Sequence, residues 1–303
     1  MSRPISLPID GILLLDKPLG LTSNSALQRV KRLFYAKKAG HTGSLDPLAT
    51  GMLPICFGEA TKFSQVLLES DKCYEMSAKL GVKTLTGDAE GDIISTKPVN
   101  VTRADIEKIV MAFRGEITQI PPMYSAVKIN GQPLYELARQ GIEIERASRN
   151  VQIYDLRLID FQGDSASFSV RCSKGTYIRT LIEDMGEALG CGAHVSALHR
   201  SFVSPFDTAR SVSLDALEDL DRTGNRAELM SHLLPTEAAV SGFPAVHLSQ
   251  SATFYLRTGQ PVSTPQLPLE GFVRLFSDEG RFLGVGEVLE DRRVAPRRLV
   301  NTA

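Results

Sequence analysis

No stretch of these 303 residues is apolar for long enough to span a bilayer, and the opening ten residues lack the charged-then-apolar order of a secretion signal. A cytoplasmic protein off the membrane is therefore expected. The four cysteines (56, 73, 172 and 191) show no C-x-x-C spacing, and the five histidines form no H-E-x-x-H pair. This disfavours structural zinc and zincin chemistry and leaves the cysteines as small buried hydrophobes. Neither a G-x-x-x-x-G-K-[ST] loop nor a strand-anchored G-x-G-x-x-G is present, so a nucleotide cofactor has no visible cradle. There is no repeat and no low-complexity tract. Net charge is also nearly absent, at −1, which taken alone argues against a nucleic-acid partner.

The charge that is there is unevenly placed. Residues 1–40 carry seven Lys/Arg against Asp10 and Asp16, a balance of +5. Residues 289–303 carry Arg292, Arg293, Arg297 and Arg298 against Glu290 and Asp291, a balance of +2. Between them, residues 211–240 are acidic, at −4. Two basic ends separated by an acidic bridge suit a protein that touches a polyanion in two places. A hydrophobic fraction of 43% over this length predicts an ordinary globular chain of one large or two unequal domains.

Periodicity supplies the elements. Ile12–Leu15 reads as a buried strand closed by Lys17-Pro18-Leu19-Gly20, followed by a helix capped by Thr22 or Ser23 with Leu27, Val30, Leu33 and Phe34 on one face. Thr102 and Asp105 form a capping box ahead of Ile106, Ile109, Val110 and Phe113. Tyr74, Met76, Ala78 and Leu80 alternate as in a half-buried strand, as do Phe168, Val170 and Cys172. Residues 180–189 read as a helix ended by Gly190. Strands and helices mix without strict alternation, which predicts an α+β domain on a mixed, largely antiparallel sheet over residues 1–240. Ser241-Gly242-Phe243-Pro244 reads as a boundary. Beyond it, residues 245–303 form a small β-rich unit with a hairpin at Asp278-Glu279-Gly280.

The most informative stretch is residues 40–51, GHTGSLDPLATG, whose composition makes a loop. Pro47 biases Asp46 towards extended backbone and removes the next amide donor. Gly40, Gly43 and Gly51 can take positive φ and admit another backbone or a ligand. On these features alone, an Asp-Pro turn between two core elements is as good a reading as a reactive carboxylate. Asp88-Ala89-Glu90-Gly91-Asp92 lacks the ligand ladder of an EF-hand and reads as a solvated turn.

That loop, with Leu53-Pro54 and Gly58-Glu59-Ala60-Thr61-Lys62 after it, resembles the signature of the bacterial tRNA pseudouridine-55 synthases, the TruB family. Three further blocks resemble the family in order: residues 11–18 (GILLLDKP), 121–139 (PPMYSAVKINGQPLYELAR) and 172–200 (CSKGTYIRTLIEDMGEALGCGAHVSALHR). The resemblance implies isomerisation of uridine to pseudouridine in the tRNA T-loop, by base flipping and with no cofactor or metal. It implies Asp46 as catalytic nucleophile, Arg179 as its partner, and Tyr74, Tyr177 and Leu198 against the flipped nucleotide. His41 would fill the space the base vacates, and Lys17 would support the loop. It also implies an RNA-binding insertion over about residues 121–150 and a PUA-like RNA-binding module over 245–303. The partner is then the T-arm of tRNA, met by a monomer that needs no protein partner. His199 stands where the family frequently has arginine, and Ser204 where it frequently has glycine.

Two other readings retain RNA binding: a tRNA-folding chaperone whose catalysis is incidental, and the catalytic subunit of a guide-RNA-dependent pseudouridylase. An ionised acid in an RNA cleft argues against the first. The intact segment 121–139 and the lack of basic tails argue against the second.

Overall fold

The computed structural model describes residues 7–129 and 131–301; Arg3 of the basic N-terminal stretch and Asn130 of the central segment lie outside these. A nine-stranded sheet organises the chain up to residue 240. Its path runs Val212–Ser213, Gly11–Lys17, Ala49–Phe57, Ala193–Val203, Lys72–Leu80, Ser165–Cys172, Arg149–Gln162 and Gly115–Gln119, with Ala39–His41 paired off the path to Ala49–Phe57. Only two pairings are parallel, at Val212–Ser213 and between Ala49–Phe57 and Ala193–Val203.

Each face of the sheet is covered for a readable reason. Helix Ser23–Leu33, capped by the Thr22 hydroxyl, buries Ala26, Leu27 and Val30. Helix Arg103–Ala112 carries the expected Thr102/Asp105 capping box and buries Ile106 and Val110. Helix Ile178–Ala188 buries Leu181, Ile182 and Met185. These stripes meet Leu13, Leu15, Leu53, Ile55, Tyr74, Met76 and Ala78 in the main core. Strand alternation sends Ile12, Leu14, Met52 and Cys56 to the opposite face, into a second cluster.

The strand Ala49–Phe57 has a divided edge. Gly11–Lys17 pairs along its whole length on one side. On the other side, Ala39–His41 takes Ile55–Phe57, and Ala193–Val203 takes Ala49–Gly51. The chain between His41 and Ala49 leaves the sheet at this division. Gly51 is required there: its φ is +100°, and a Cβ would lie 2.4 Å from the Arg200 carbonyl oxygen. Gly43 also has positive φ, whereas Gly40 does not.

Three features depart from the sequence expectations. The basic and acidic segments are not kept apart: helix Leu214–Arg222 packs on helix Ser23–Leu33, and Glu218 reaches Arg29 at 3.8 Å. Three of the four C-terminal arginines are already engaged. Arg293 pairs with Asp291, Arg297 pairs with Glu287, and Arg292 donates to the carbonyls of Leu267, Pro268 and Leu269. Third, the C-terminal unit shares a core with the sheet. Its strands Ala245–Leu248, Gly271–Ser277, Phe282–Val288 and Val294–Leu299 form a separate sheet, yet Phe282 and Val285 join Ile12, Leu14, Met52 and Phe63 in one cluster. Lys62 Nζ adds a bond to the Leu299 carbonyl, and the Asn301 amide donates to Glu59.

A chain ending near residue 244 would thus leave Phe63 and Met52 facing water, so the simple truncation is expected to be destabilised. Phe282, 5.7 Å from the Phe63 ring, isolates this contact. Phe282→Ala is expected to cost about 3 kcal/mol or more in denaturant unfolding. A loss below about 1 kcal/mol would mean that the two sheets are energetically independent.

Candidate active site

The loop carrying Asp46 is held from below. The Ser23 hydroxyl, at the start of its helix, both accepts from the Leu45 amide (2.6 Å) and donates to the Leu45 carbonyl (3.0 Å). The Gly20 amide donates to the Pro47 carbonyl at 2.8 Å, and the Ala49 amide closes onto the Asp46 carbonyl at 3.0 Å. These anchors fix the backbone on both sides of Asp46, whose side chain is 41% exposed.

Arg179 completes the pair. Its Nε lies 3.0 Å from Asp46 Oδ2, and the guanidinium is buried. Nη1 donates to the Thr86 carbonyl at 2.8 Å and approaches Asp88 Oδ2 at 3.6 Å, while Nη2 donates to the Tyr124 carbonyl at 2.6 Å. Arg179 lies in the first turn of helix Ile178–Ala188, not on a continued strand, so it does not share a strand face with Tyr177. A cation at that end of a helix is unfavourable, and the two carboxylates offset it. Tyr177 takes the cap position without a side-chain cap bond; Gln119 serves instead, accepting from the Tyr177 amide at 3.0 Å and donating to its carbonyl at 3.2 Å.

Burial pushes the Asp46 carboxyl above its ordinary value; Arg179 pulls it down, Asp88 pushes it up and Lys17 pulls it down again. Lys17 is fully buried and donates to the carbonyls of Pro18 (2.9 Å) and Leu21 (2.6 Å). Burial lowers it to about 8, against the attraction of Asp46.

Of the other residues picked from the sequence, Tyr74 is buried, and burial raises its hydroxyl while Arg200 draws it back. Leu198 pairs in register with Ala49 and Met76, and shares the core cluster with Tyr74. The Tyr177 ring is half-buried with the Arg149 guanidinium 5.5 Å from its centre. His41 is half-buried, its Nδ1 has no hydrogen-bond partner, and burial followed by Arg200 lowers its pKa. Asp46, Arg179, Lys17 and Tyr74 thus form one electrostatic group, with Leu198 packed beside Tyr74. His199 turns away: its Nδ1 meets Thr50 Oγ1 at 2.9 Å, beside a cavity of about 180 Å³ lined also by Asp16 and Asp215.

The sequence reading missed three members. Asp88, read as part of a solvated turn, is 3% exposed and accepts from Thr86 Oγ1 at 2.5 Å. Glu90 also feels Asp46 and Lys17, and bonds the Leu48 backbone. Arg200 is 1% exposed; the signal that could have found it is its spacing of two from Leu198, which puts an arginine on the inward side of a strand.

Comparison with known proteins places this arrangement. Residues 31–178 match the model of the "TruB family pseudouridylate synthase (N terminal domain)". Residues 179–241 match "tRNA pseudouridylate synthase B C-terminal domain", and 244–300 match "Pseudouridine synthase II TruB, C-terminal". The chain is 58% identical over 294 residues to the tRNA pseudouridine synthase B of Coxiella burnetii (strain RSA 493 / Nine Mile phase I), covering 97% of this chain and 95% of that protein. The chain belongs to the TruB family.

The tRNA pseudouridine synthase B of Ectopseudomonas mendocina is 55% identical over 97% of this TruB chain and 96% of its own. Among solved structures, the Cbf5-Nop10-Gar1 complex contains a chain that is 26% identical, with a TM-score of 0.72, over 99% of this chain and 87% of that one. A chain of an H/ACA RNP bound to a substrate RNA containing 2'-deoxyuridine is 25% identical, with a TM-score of 0.73, over 98% and 87%. The TruB fold, a mixed sheet followed by a small β-rich unit, extends over the described chain.

Asp88 raises Asp46, so its removal has a sign. Activity is expected to fall with decreasing pH on a limb lying above the ordinary aspartate value of 3.8. In Asp88→Asn the limb should move to lower pH, since a negative neighbour that favours protonation is gone. A limb unmoved, or moved upward, in the kcat/KM profile would contradict the shared-guanidinium geometry.

Proposed function

We propose that this chain is a tRNA pseudouridine(55) synthase, acting alone in the cytoplasm on uridine in the T-loop. The observation that carries the proposal is the 3.0 Å pair between Asp46 and the buried Arg179 on a loop anchored at both sides, beside the core cluster that holds Tyr74 and Leu198. Near-complete identity coverage with the tRNA enzymes, at 58%, against 26% with the Cbf5 chain, favours a tRNA substrate and a chain without protein partners.

The reaction breaks the N1–C1′ bond of uridine, turns the base and joins C5 to C1′. A carboxylate serves it because it bonds reversibly to an electrophilic carbon or steadies an oxocarbenium-like centre. Asp46 is the nucleophile in this reading, and Arg179 keeps it ionised and aimed. The target base has to leave its stack, at a cost of a few kcal/mol. Tyr74 gives it an aromatic face, Leu198 an apolar wall, and Tyr177 a second contact. His41, with an unpaired ring nitrogen at the head of the loop, is set to enter the vacated space. Lys17 holds the turn beneath. Residues 1–240 form the catalytic unit, with an RNA-binding insertion at about 121–150. Residues 245–303 form a PUA-like RNA-binding appendage.

Mapping of tRNA treated with the purified protein, without added cofactor, tests the assignment once pseudouridine is tagged by carbodiimide derivatisation, because the isomerisation itself leaves the mass unchanged: a tagged pseudouridine at position 55 is expected. Asp46→Asn should abolish its formation while tRNA affinity stays within about tenfold, because an amide keeps shape but is no nucleophile. Turnover above a few per cent would remove Asp46 from its role, and an undiminished tRNA-folding effect in that variant would favour the chaperone reading. Tyr74→Phe, which keeps the face and loses the hydroxyl, is expected to slow turnover far more than it weakens binding. A Phe variant as fast as the wild type would return Tyr74 to the core.

A further inference from the structure

Among the described residues Arg200 is the largest fully buried side chain, at 1% exposure, and none of their ion pairs includes it. Its hydrogen-bond partners are neutral. Nε donates to the Met52 carbonyl at 2.7 Å and Nη2 donates to the Gly43 carbonyl at 3.2 Å, and across the strand pair it stands opposite Tyr74, whose hydroxyl it draws down. A guanidinium taken out of water without a carboxylate is costly, and the surroundings add to that cost. Lys72, buried nearby, spends its ammonium on the carbonyls of Leu67, Leu68 and Ser70. Lys17 and Lys72 are each lowered in part by Arg200 itself.

The three contacts have a common meaning in the fold. Gly43 lies early in the loop that carries Asp46, and Met52 lies in the strand that the loop runs into. Met52 falls between the stretch of its strand paired by Ala39–His41 and the stretch paired by Ala193–Val203, so on that side its carbonyl meets the Arg200 side chain instead of a strand. Tyr74 is the register partner of Arg200 across the antiparallel pair. The planar fork of arginine reaches both carbonyls at once; an ammonium lacks that fixed spread of donors.

We propose that Arg200 is a positioning residue of the reaction, which ties the start of the Asp46 loop to the strand that follows it and fixes the Tyr74 oxygen as acceptor of the C5 proton. This rests on the reading of Asp46 and Tyr74 given above. N1, as it is released from the sugar, takes the phenolic proton of Tyr74 directly or through water. When C5 then joins C1′, its C–H bond breaks, the electron pair stays in the ring to restore the C5–C6 double bond, and the proton passes to the Tyr74 oxygen, which becomes a phenol again, so the protons balance over the cycle. Besides Arg200, Tyr74 feels Cys172 from the adjoining strand and Asp46 from the loop. Arg200 is the cation among these groups.

The test is a double-mutant cycle on the full chain with tRNA, reading single-turnover rate and affinity separately. Arg200→Gln is expected to slow turnover by about a hundredfold with affinity within about threefold, and Arg200→Lys to recover part of the rate. In the Tyr74→Phe background, Arg200→Gln is expected to cost no more than about tenfold, the share belonging to the loop. Equal losses in both backgrounds, or a loss of affinity as large as the loss of rate, would overturn the proposal. If Arg200→Gln does not fold, Arg200→Lys carries the same cycle with the charge kept. Asp46→Asn separates the two levels of argument: an active Asp46→Asn enzyme defeats the nucleophile assignment, whatever Arg200 does.

Discussion

The Arg179 guanidinium ties together three segments that share no secondary structure: the Asp46 loop, the turn of Thr86 and Asp88, and the stretch around Tyr124. Its placement depends on the helix Ile178–Ala188 beginning where it does, and Gln119 holds the cap residue there by bonding both the amide and the carbonyl of Tyr177. Without that buried cation, Asp88 would push the Asp46 carboxyl up with little to offset it. The guanidinium thus makes the two acids tolerable together and orients the Asp46 carboxylate.

Beneath that ion pair lies a topological cause. A strand with one continuous neighbour and two half-neighbours has a seam, and a loop that leaves at the seam starts and ends close together. The chain from His41 to Ala49 does so, and Ser23, Gly20 and Arg200 pin it. A reactive loop placed on a rigid sheet at such a seam keeps its geometry without secondary structure of its own.

Much of this was legible beforehand because it follows from local rules. The capping box at Thr102, the alternation from Tyr74 to Leu80 and the hairpin at Asp278-Glu279-Gly280 are all short-range patterns, and each lies where spacing put it. Of the candidate residues drawn from the family resemblance, Asp46, Arg179, Lys17 and Tyr74 come within electrostatic reach of one another. What escaped were contacts between distant segments. Asp88 sits in a run of small and acidic residues that looks solvated, and only its meeting with an arginine 91 positions away explains its burial. Charge counting failed for a similar reason: Arg29 and Glu218 are far apart in the chain and adjacent in space. The boundary near residue 240 marked a change of sheet, whereas the apolar cluster of Phe282 with Met52 runs across it.

The acidic helix Leu214–Arg222, laid along the basic helix Ser23–Leu33, also bears on how the protein finds a target. An RNA-modifying enzyme works among many RNAs that share one phosphate backbone and differ in shape. Strong uniform positive charge would hold it for long periods on the wrong ones. By muting its own long-range field, this chain gives up some speed of encounter and gains brief residence on mismatched surfaces. Selection is then left to the short-range fit of the cleft, and the search is governed by how quickly an unproductive complex comes apart.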